Sequence, residues 1–413
     1  MSPLGASATV WEACTPAPRD AAGSRRPSPF PETEVRSFRR LGPAGIRHAG
    51  HCTITQGWTA FVPPASCGAT GFAGKDMDIL ARLGMRVPVV QAPMAGISTP
   101  ALAAAVSNAG GLGSLGLAAM TGPEAAQAIA ETHRMTGRPF GVNLFCHQPR
   151  PRDPAAEARW LDRLAPYFAR MGTEPPRSLT PGYPSVLESD ELMGAVLAAP
   201  PALVTFHFGL PRPDQIAALR ERGCLVGATA TSEAEATRIR DAGFDLIVAQ
   251  GWQAGGHRGI FDPDGPDERL ETLQLVRHLA PLGLPVLAAG EIMDRIDSRR
   301  ALEAGAVAVQ CGTAFLQAPE AATSPAHRKA LGRGETRMTK AISGRPARCC
   351  ANDFTAIPDD EAPGYPITYA AGKALDAAAR SRGVTGYGAQ WAGTGCARAV
   401  ARPAAETVRA LAP

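Results

Sequence analysis

A (β/α)8 barrel is the fold class that the sequence predicts, on three observations. From Met77 onward, short apolar runs alternate with helical stretches, and eight such runs occur. Each run is continuously apolar instead of alternating, which suits strands covered on both faces of a parallel sheet. The eight units occupy about 250 residues, the usual size of such a barrel. A doubly wound sheet is the alternative topology.

The strands are expected at 87–94 (VPVVQAPM), 111–116 (GLGSLG), 140–145 (FGVNLF) and 202–209 (ALVTFHFG), then 224–230 (CLVGATA), 245–251 (DLIVAQG), 284–290 (LPVLAAG) and 306–315 (AVAVQCGTAF). The helices between them carry start and stop signals. Thr99 followed by Pro100 offers an N-cap and a proline at the first helical position. TGPE (121–124) and SEAE (232–235) fit a capping box. Glycines in DAGFD (241–245) and EAGAV (303–307) stand where a helix should stop before the next strand. The third unit is expanded, with proline-rich loops around two helical stretches over 146–201. The barrel is thus assigned to 76–330. Residues 331–413, with a helix predicted over 365–383, read as helical and irregular material that packs on the barrel and completes its pocket. Residues 1–75 are rich in Pro, Arg, Ser and Gly and follow neither period, a composition that predicts disorder.

Composition narrows the function classes. Of 413 residues, 45% are hydrophobic and 19% charged, which is globular, and a formal charge of +4 is too small to argue for nucleic acid. The nine cysteines are odd in number and lack paired zinc-type spacing, so free thiols in a reducing cytoplasm are expected. No apolar run approaches the ~18 residues of a membrane span, and no secretory apolar segment opens the chain.

In a barrel of this kind the chemistry belongs at the carboxyl ends of the strands. Those ends read QAPMAG, NLFCH, HFG, ATAT, AQGWQAGGH, AAGE and QCGT. They hold amides, small residues and glycines, with no carboxylate pair, metal cluster or nucleophile-elbow serine. Such a wall suits a planar, polar-edged ligand. GLGSLG matches a dinucleotide fingerprint literally, yet a helix precedes it where the fingerprint needs a strand, so its glycines read as a turn. Gly290, Gly312 and Thr313, at the ends of the last two strands, offer backbone N–H groups and a hydroxyl to a phosphate. His257 lies beyond the sixth strand after two glycines and can take a proton near neutral pH, while His207 ends the fourth strand between phenylalanines. Tyr365, Tyr369 and Lys373, at i, i+4 and i+8, would share one helix face and could bind a small anion; an amphipathic surface stripe is the plainer reading.

Taken in order, QAPMAGISTPALAAAVSNAGGLGSLG, GVNLF, AQGWQAGGHRG, LPVLAAGEI, QCGTAFL and the late YP…Y…K resemble the class I nitronate monooxygenases, formerly 2-nitropropane dioxygenases, from about residue 77 to 400. The resemblance implies a TIM barrel that binds FMN and, in a detoxifying reaction, oxidises alkyl nitronates such as propionate 3-nitronate with O2 to a carbonyl compound and nitrite. No nicotinamide cofactor is implied. Pro93, Met94, Asn143, Gln250, Gly255, Gly256, Gly290, Gln310, Gly312 and Thr313 would then bind FMN. His257 would be the active-site histidine, and His207, Tyr183, Tyr365, Tyr369 and Lys373 would shape a pocket for the anionic nitronate. Two positions depart from the family pattern: Glu291 stands where a second glycine is usual, and Gln253 where glutamate is common. An FMN-dependent enoyl-ACP reductase using NAD(P)H and a non-catalytic flavin-binding barrel are the rival readings.

Overall fold

The eight apolar runs become eight parallel strands in a computed structural model that describes residues 76–413. The stretch expected to be disordered, 1–75, lies outside the described residues. The strands are β1 (Val89–Gln91), β2 (Gly113–Gly116), β3 (Phe140–Phe145), β4 (Leu203–His207), β5 (Leu225–Ala230) and β6 (Leu246–Gln250). A two-residue strand, β7 (Gly256–His257), follows, and then the last barrel strands, β8 (Val286–Ala289) and β9 (Ala308–Cys311). Their order, β1-β9-β8-β6-β5-β4-β3-β2, is that of a ring. It closes where Val90 bridges Leu112 in parallel and the Leu112 N–H donates to the Val89 carbonyl at 2.9 Å.

Two apolar layers explain why these runs are unbroken. Side chains pointing inward, among them Val90, Leu112, Leu203, Leu225, Leu246 and Leu287, form one cluster with Ile79 and Leu83 at the amino end of the barrel. Outward side chains such as Val89, Leu115, Val142, Val226 and Ile247 pack under the surrounding helices. Both faces leave water, so both are apolar. The helix after β1, Pro100–Asn108, begins as expected, with Thr99 accepting from the Leu102 N–H at 3.0 Å. Its close approach also explains GLGSLG: a Cβ on Gly113 would lie 2.0 Å from the Ala103 carbonyl oxygen. Gly113 makes room for the helix, while Gly111 and Gly116 make room for the backbone of Val89 and of Met94 and Ala95, and no nucleotide need be invoked. Thr121 and Glu124 form the anticipated capping box. At 232–235 only half of it forms, because the Glu235 carboxylate turns to the N–H groups of Thr231 and Phe261, both at 2.6 Å.

The carboxy-terminal region contains more than the helices and irregular chain expected there. Strands β10 (Thr336–Thr339) and β11 (Ala347–Cys350) pair antiparallel, and β11 also pairs with β7, placing Ala347 opposite His257. With four residues each, TRMT and ARCC are too short for any periodicity to show. A second core joins this region to the expanded third unit, through Trp160, Leu164 and Phe168 of helix Pro154–Arg170 and Ala371 and Leu375 of helix Ile367–Ser381. Among the described residues, no helix is long and apolar enough to cross a membrane.

Candidate active site

The strip that leaves β6 is fixed by its own side chains. Gln250 ends the strand, its Nε2 donates to the His257 carbonyl at 2.9 Å, and its Oε1 accepts from the Gly259 N–H at 2.7 Å. The loop between is therefore folded back on the strand end. Gly256 turns it with φ +76°, a region that side-chain-bearing residues seldom enter. Arg258, fully buried, anchors the far side through Nε and Nη2 to Asp267 at 2.9 and 2.8 Å. Gly255 answers a packing need. A Cβ there would stand 2.4 Å from the backbone of Ala392 and Gly393, so the carboxy-terminal segment, not a ligand alone, requires the glycine.

A second clamp reaches the same carbonyl. His207 Nε2 lies 3.2 Å from the His257 oxygen and Nδ1 lies 2.9 Å from Thr229 Oγ1. A carbonyl can only accept, so Nε2 carries the hydrogen and Nδ1 of the neutral ring takes the threonine proton. Burial, with the nearby Arg345 and Arg258 cations, outweighs the hydrogen bond to the carbonyl and pulls the His207 pKa down to about 4.

The His257 ring stands in an aromatic enclosure. Trp391 lies 5.0 Å away between centroids, Phe208 and Tyr365 5.7 Å, and Tyr369 6.0 Å. Its Nε2 is buried without a hydrogen-bond partner. Burial first, then the neighbouring His207 and Arg345, lowers its pKa to about 3. The ring is thus a neutral base throughout the physiological range. Phe208 is the hub beneath it. This residue adopts φ +74°, a strained backbone for a residue with a Cβ, and its ring carries the Arg345 guanidinium at 4.2 Å.

His257, Tyr369 and Trp391 border a cavity of about 200 Å³ at the carboxyl end of the barrel. Its wall includes His257, His207, Tyr183, Tyr369, Pro93, Met94, Asn143, Gln250, Gly255, Gly256, Gly290, Gln310, Gly312 and Thr313. Two residues singled out from the sequence lie elsewhere. Tyr365 is buried behind Phe208 and His147, and Lys373 is exposed, its ammonium 4.3 Å from the centre of the Tyr183 ring and 5.5 Å from that of Tyr369. The expected shared helix face fails at Tyr365 because the helix starts at Ile367, after Pro366, whose ring keeps the preceding residue out of the helical region.

The donor chemistry of the wall fits a flavin. Neutral amides (Asn143, Gln310), hydroxyls (Thr205, Thr229, Thr313) and glycine backbone line it together with apolar Pro93, Met94, Ile97 and Val248. Gln250 contributes less than expected, since both ends of its amide already hold protein groups. Gln253 faces away from His257: its Oε1 accepts from the Thr272 N–H at 2.9 Å in the first turn of helix Thr272–Leu279. A glutamate would make the same contact, so this departure leaves the histidine alone. Among the described residues, no group of three or more His, Cys, Asp or Glu could hold a metal.

Several wall residues escaped the sequence reading. Phe145 and Thr229 lie in the strand ends NLFCH and ATAT, which read as wall without singling out either residue, and Thr205 lies within β4. His327 comes from helix Pro325–Leu331 and Trp391 from the carboxy-terminal region, with His327 Nε2 and the Trp391 carbonyl 3.1 Å apart. Only a three-dimensional arrangement brings them to the barrel.

Comparison with known proteins agrees with this geometry. Residues 78–413 match the family model described as nitronate monooxygenase. A nitronate monooxygenase of Paraburkholderia phytofirmans is 50% identical over 81% of this chain and 93% of its own length. One from Pseudomonas aeruginosa is 49% identical over 80% and 96%. The crystal structure of nitroalkane oxidase from Streptomyces ansochromogenes superposes with a TM-score of 0.76 at 37% identity, covering 81% of this chain and 96% of that one.

Proposed function

The chain belongs to the nitronate monooxygenase family, and on that premise we propose that it oxidises alkyl nitronates of the propionate 3-nitronate type with O2, using FMN, to a carbonyl compound and nitrite. The observation that carries this reading is the neutral His257 at the wall of a cavity that also presents protonated phenols and neutral amides. FMN, when bound, accepts electrons from the substrate and passes them to oxygen. Asn143, Gln310 and the glycine backbones would meet its polar edges, Pro93 and Met94 its apolar face, and Gly290, Gly312 and Thr313 its phosphate.

The protein's own groups have separable tasks. Burial raises the Tyr183 and Tyr369 phenols above their ordinary range, so both stay protonated and can donate to an anionic nitronate oxygen. Their rings stack 4.9 Å apart and 17° from parallel, which closes the cavity on that side. Lys373 is exposed beside both rings and outside the cavity wall, where its charge can draw an anion toward the site without touching the reacting atoms. His257 holds an unprotonated nitrogen available to remove the α-proton of a neutral nitroalkane; a nitronate arrives already deprotonated. Water is kept from this corner by Phe145, Tyr369 and Trp391.

The experiment is nitrite release from propionate 3-nitronate by FMN-loaded protein, with and without NADH. Nitrite formed without NADH supports the proposal. Rapid NAD(P)H oxidation driven by an enoyl thioester, without nitrite, would assign the barrel to reductase chemistry. Failure to take up FMN at all would favour a barrel without catalysis.

A further inference from the structure

The loop that follows β8 has an unusual backbone. Gly290 and Glu291 are consecutive residues at positive φ, +128° and +55°. Glycine adopts such angles freely, but a residue with a Cβ does so only at a cost. Only two other non-glycine residues do so among those described, Phe208 and Arg269. Glu291 is exposed and forms part of the cavity wall, between Gly290 and the buried Ile292 and Met293. Among the described residues that line this cavity it is the only carboxylate. Across from it the chain returns at Gly395, where an added Cβ would stand 3.6 Å from Glu291 Cγ. The cation that feels its charge is Arg348, but that guanidinium is held by the Trp252 carbonyl at 2.8 and 3.2 Å. The carboxylate therefore remains at the end of the barrel, beside the loops after the last two strands, where such folds hold phosphate.

We infer that Glu291 opposes the phosphate of the flavin, so that this protein discriminates weakly between FMN and the dephosphorylated flavin and holds its cofactor in exchangeable form. The inference rests on the flavin reading of the cavity. A carboxylate and a phosphate that share one partly solvated site repel each other, and added salt weakens that repulsion.

The test is equilibrium binding of FMN and of riboflavin to apoprotein, followed by quenching of flavin fluorescence, in wild type, Glu291→Gln and Glu291→Gly. Glu291→Gln should tighten FMN by roughly five- to tenfold at low ionic strength and riboflavin by less than about twofold, with the FMN gain shrinking as salt is added. Glu291→Gly should repeat the FMN-selective gain and also raise the Tm of the apoprotein, because it relieves the left-handed backbone. Equal tightening of both flavins, or no change for FMN in either variant, overturns the inference. A wild type that binds neither flavin defeats the flavin reading itself, and this inference with it.

Discussion

His207 holds the backbone of His257 and not its ring: Nε2 donates to the His257 carbonyl oxygen at 3.2 Å, while Nδ1 accepts from Thr229 at 2.9 Å. The two histidines therefore divide the work. One is locked by two hydrogen bonds and fixes a chain position. The other keeps its ring free of polar partners.

Thr229 should then matter as a positioning residue. Thr229→Val leaves His207 Nδ1 buried without its donor, at a cost of about 1–3 kcal/mol seen as a lower Tm. It should lower kcat through displacement of His257 while KM stays within about twofold. Thermal melts and steady-state kinetics check both, and Thr229→Ser, which restores the hydroxyl, should recover most of the loss.

Acid should destabilise the fold earlier than carboxylate chemistry alone would. Burial lowers the pKa of His147, His207 and His327 to about 4 and of His257 to about 3. Below the unfolded value of about 6.5 the unfolded chain binds protons that the native chain refuses. Stability is therefore complete above that pH and falls as the pH drops toward 4. With up to four protons taken up on unfolding, the slope reaches at most roughly 5 kcal/mol per pH unit. Urea unfolding between pH 7 and 4.5 measures it, and a flat profile would contradict the neutral, buried histidines.

Lys373 should affect capture of the substrate but not chemistry. Its ammonium lies 4.3 Å from the centre of the Tyr183 ring. Lys373→Ala removes a solvent-side cation–π contact and an attractive charge, so KM for an anionic nitronate should rise about two- to fivefold with kcat unchanged. A fall in kcat instead would place the ammonium at the reacting atoms.

Gly255→Ala should be felt far along the chain. The new methyl group would overlap the backbone of Ala392 and Gly393, so the carboxy-terminal segment bearing Trp391 must move. A stability loss of about 1–3 kcal/mol and weakened flavin retention are expected. Wild-type flavin affinity in this variant would show that the segment is not needed to close the site.

Much of this architecture was legible in the chain because each barrel strand is buried on both faces, and that leaves a local signal. Val89–Gln91, Leu246–Gln250 and Val286–Ala289 are apolar runs at their own positions in the sequence. His257 was legible from its place beyond a strand end. Contacts made between distant segments left no such mark. Trp391 reaches the cavity from the carboxy-terminal region and His327 from the helix that follows the last barrel strand, and β11 pairs with β7 through two residues only. The tyrosine–lysine spacing suggested one helical face, but the helix starts after Tyr365, and the Lys373 ammonium lies against the inserted Tyr183 ring and not in the cavity wall. Spacing records neighbours along a helix, not what another loop inserts beside them.

The most direct test of the account is turnover by FMN-loaded His257→Asn, measured as nitrite release from a nitronate and from the corresponding neutral nitroalkane. Loss of the ring should lower nitronate turnover by at least about tenfold and reduce nitroalkane turnover by about 100-fold or more, with flavin still bound. Unchanged rates on both substrates in a flavin-replete variant would contradict the assignment of His257 to the chemistry.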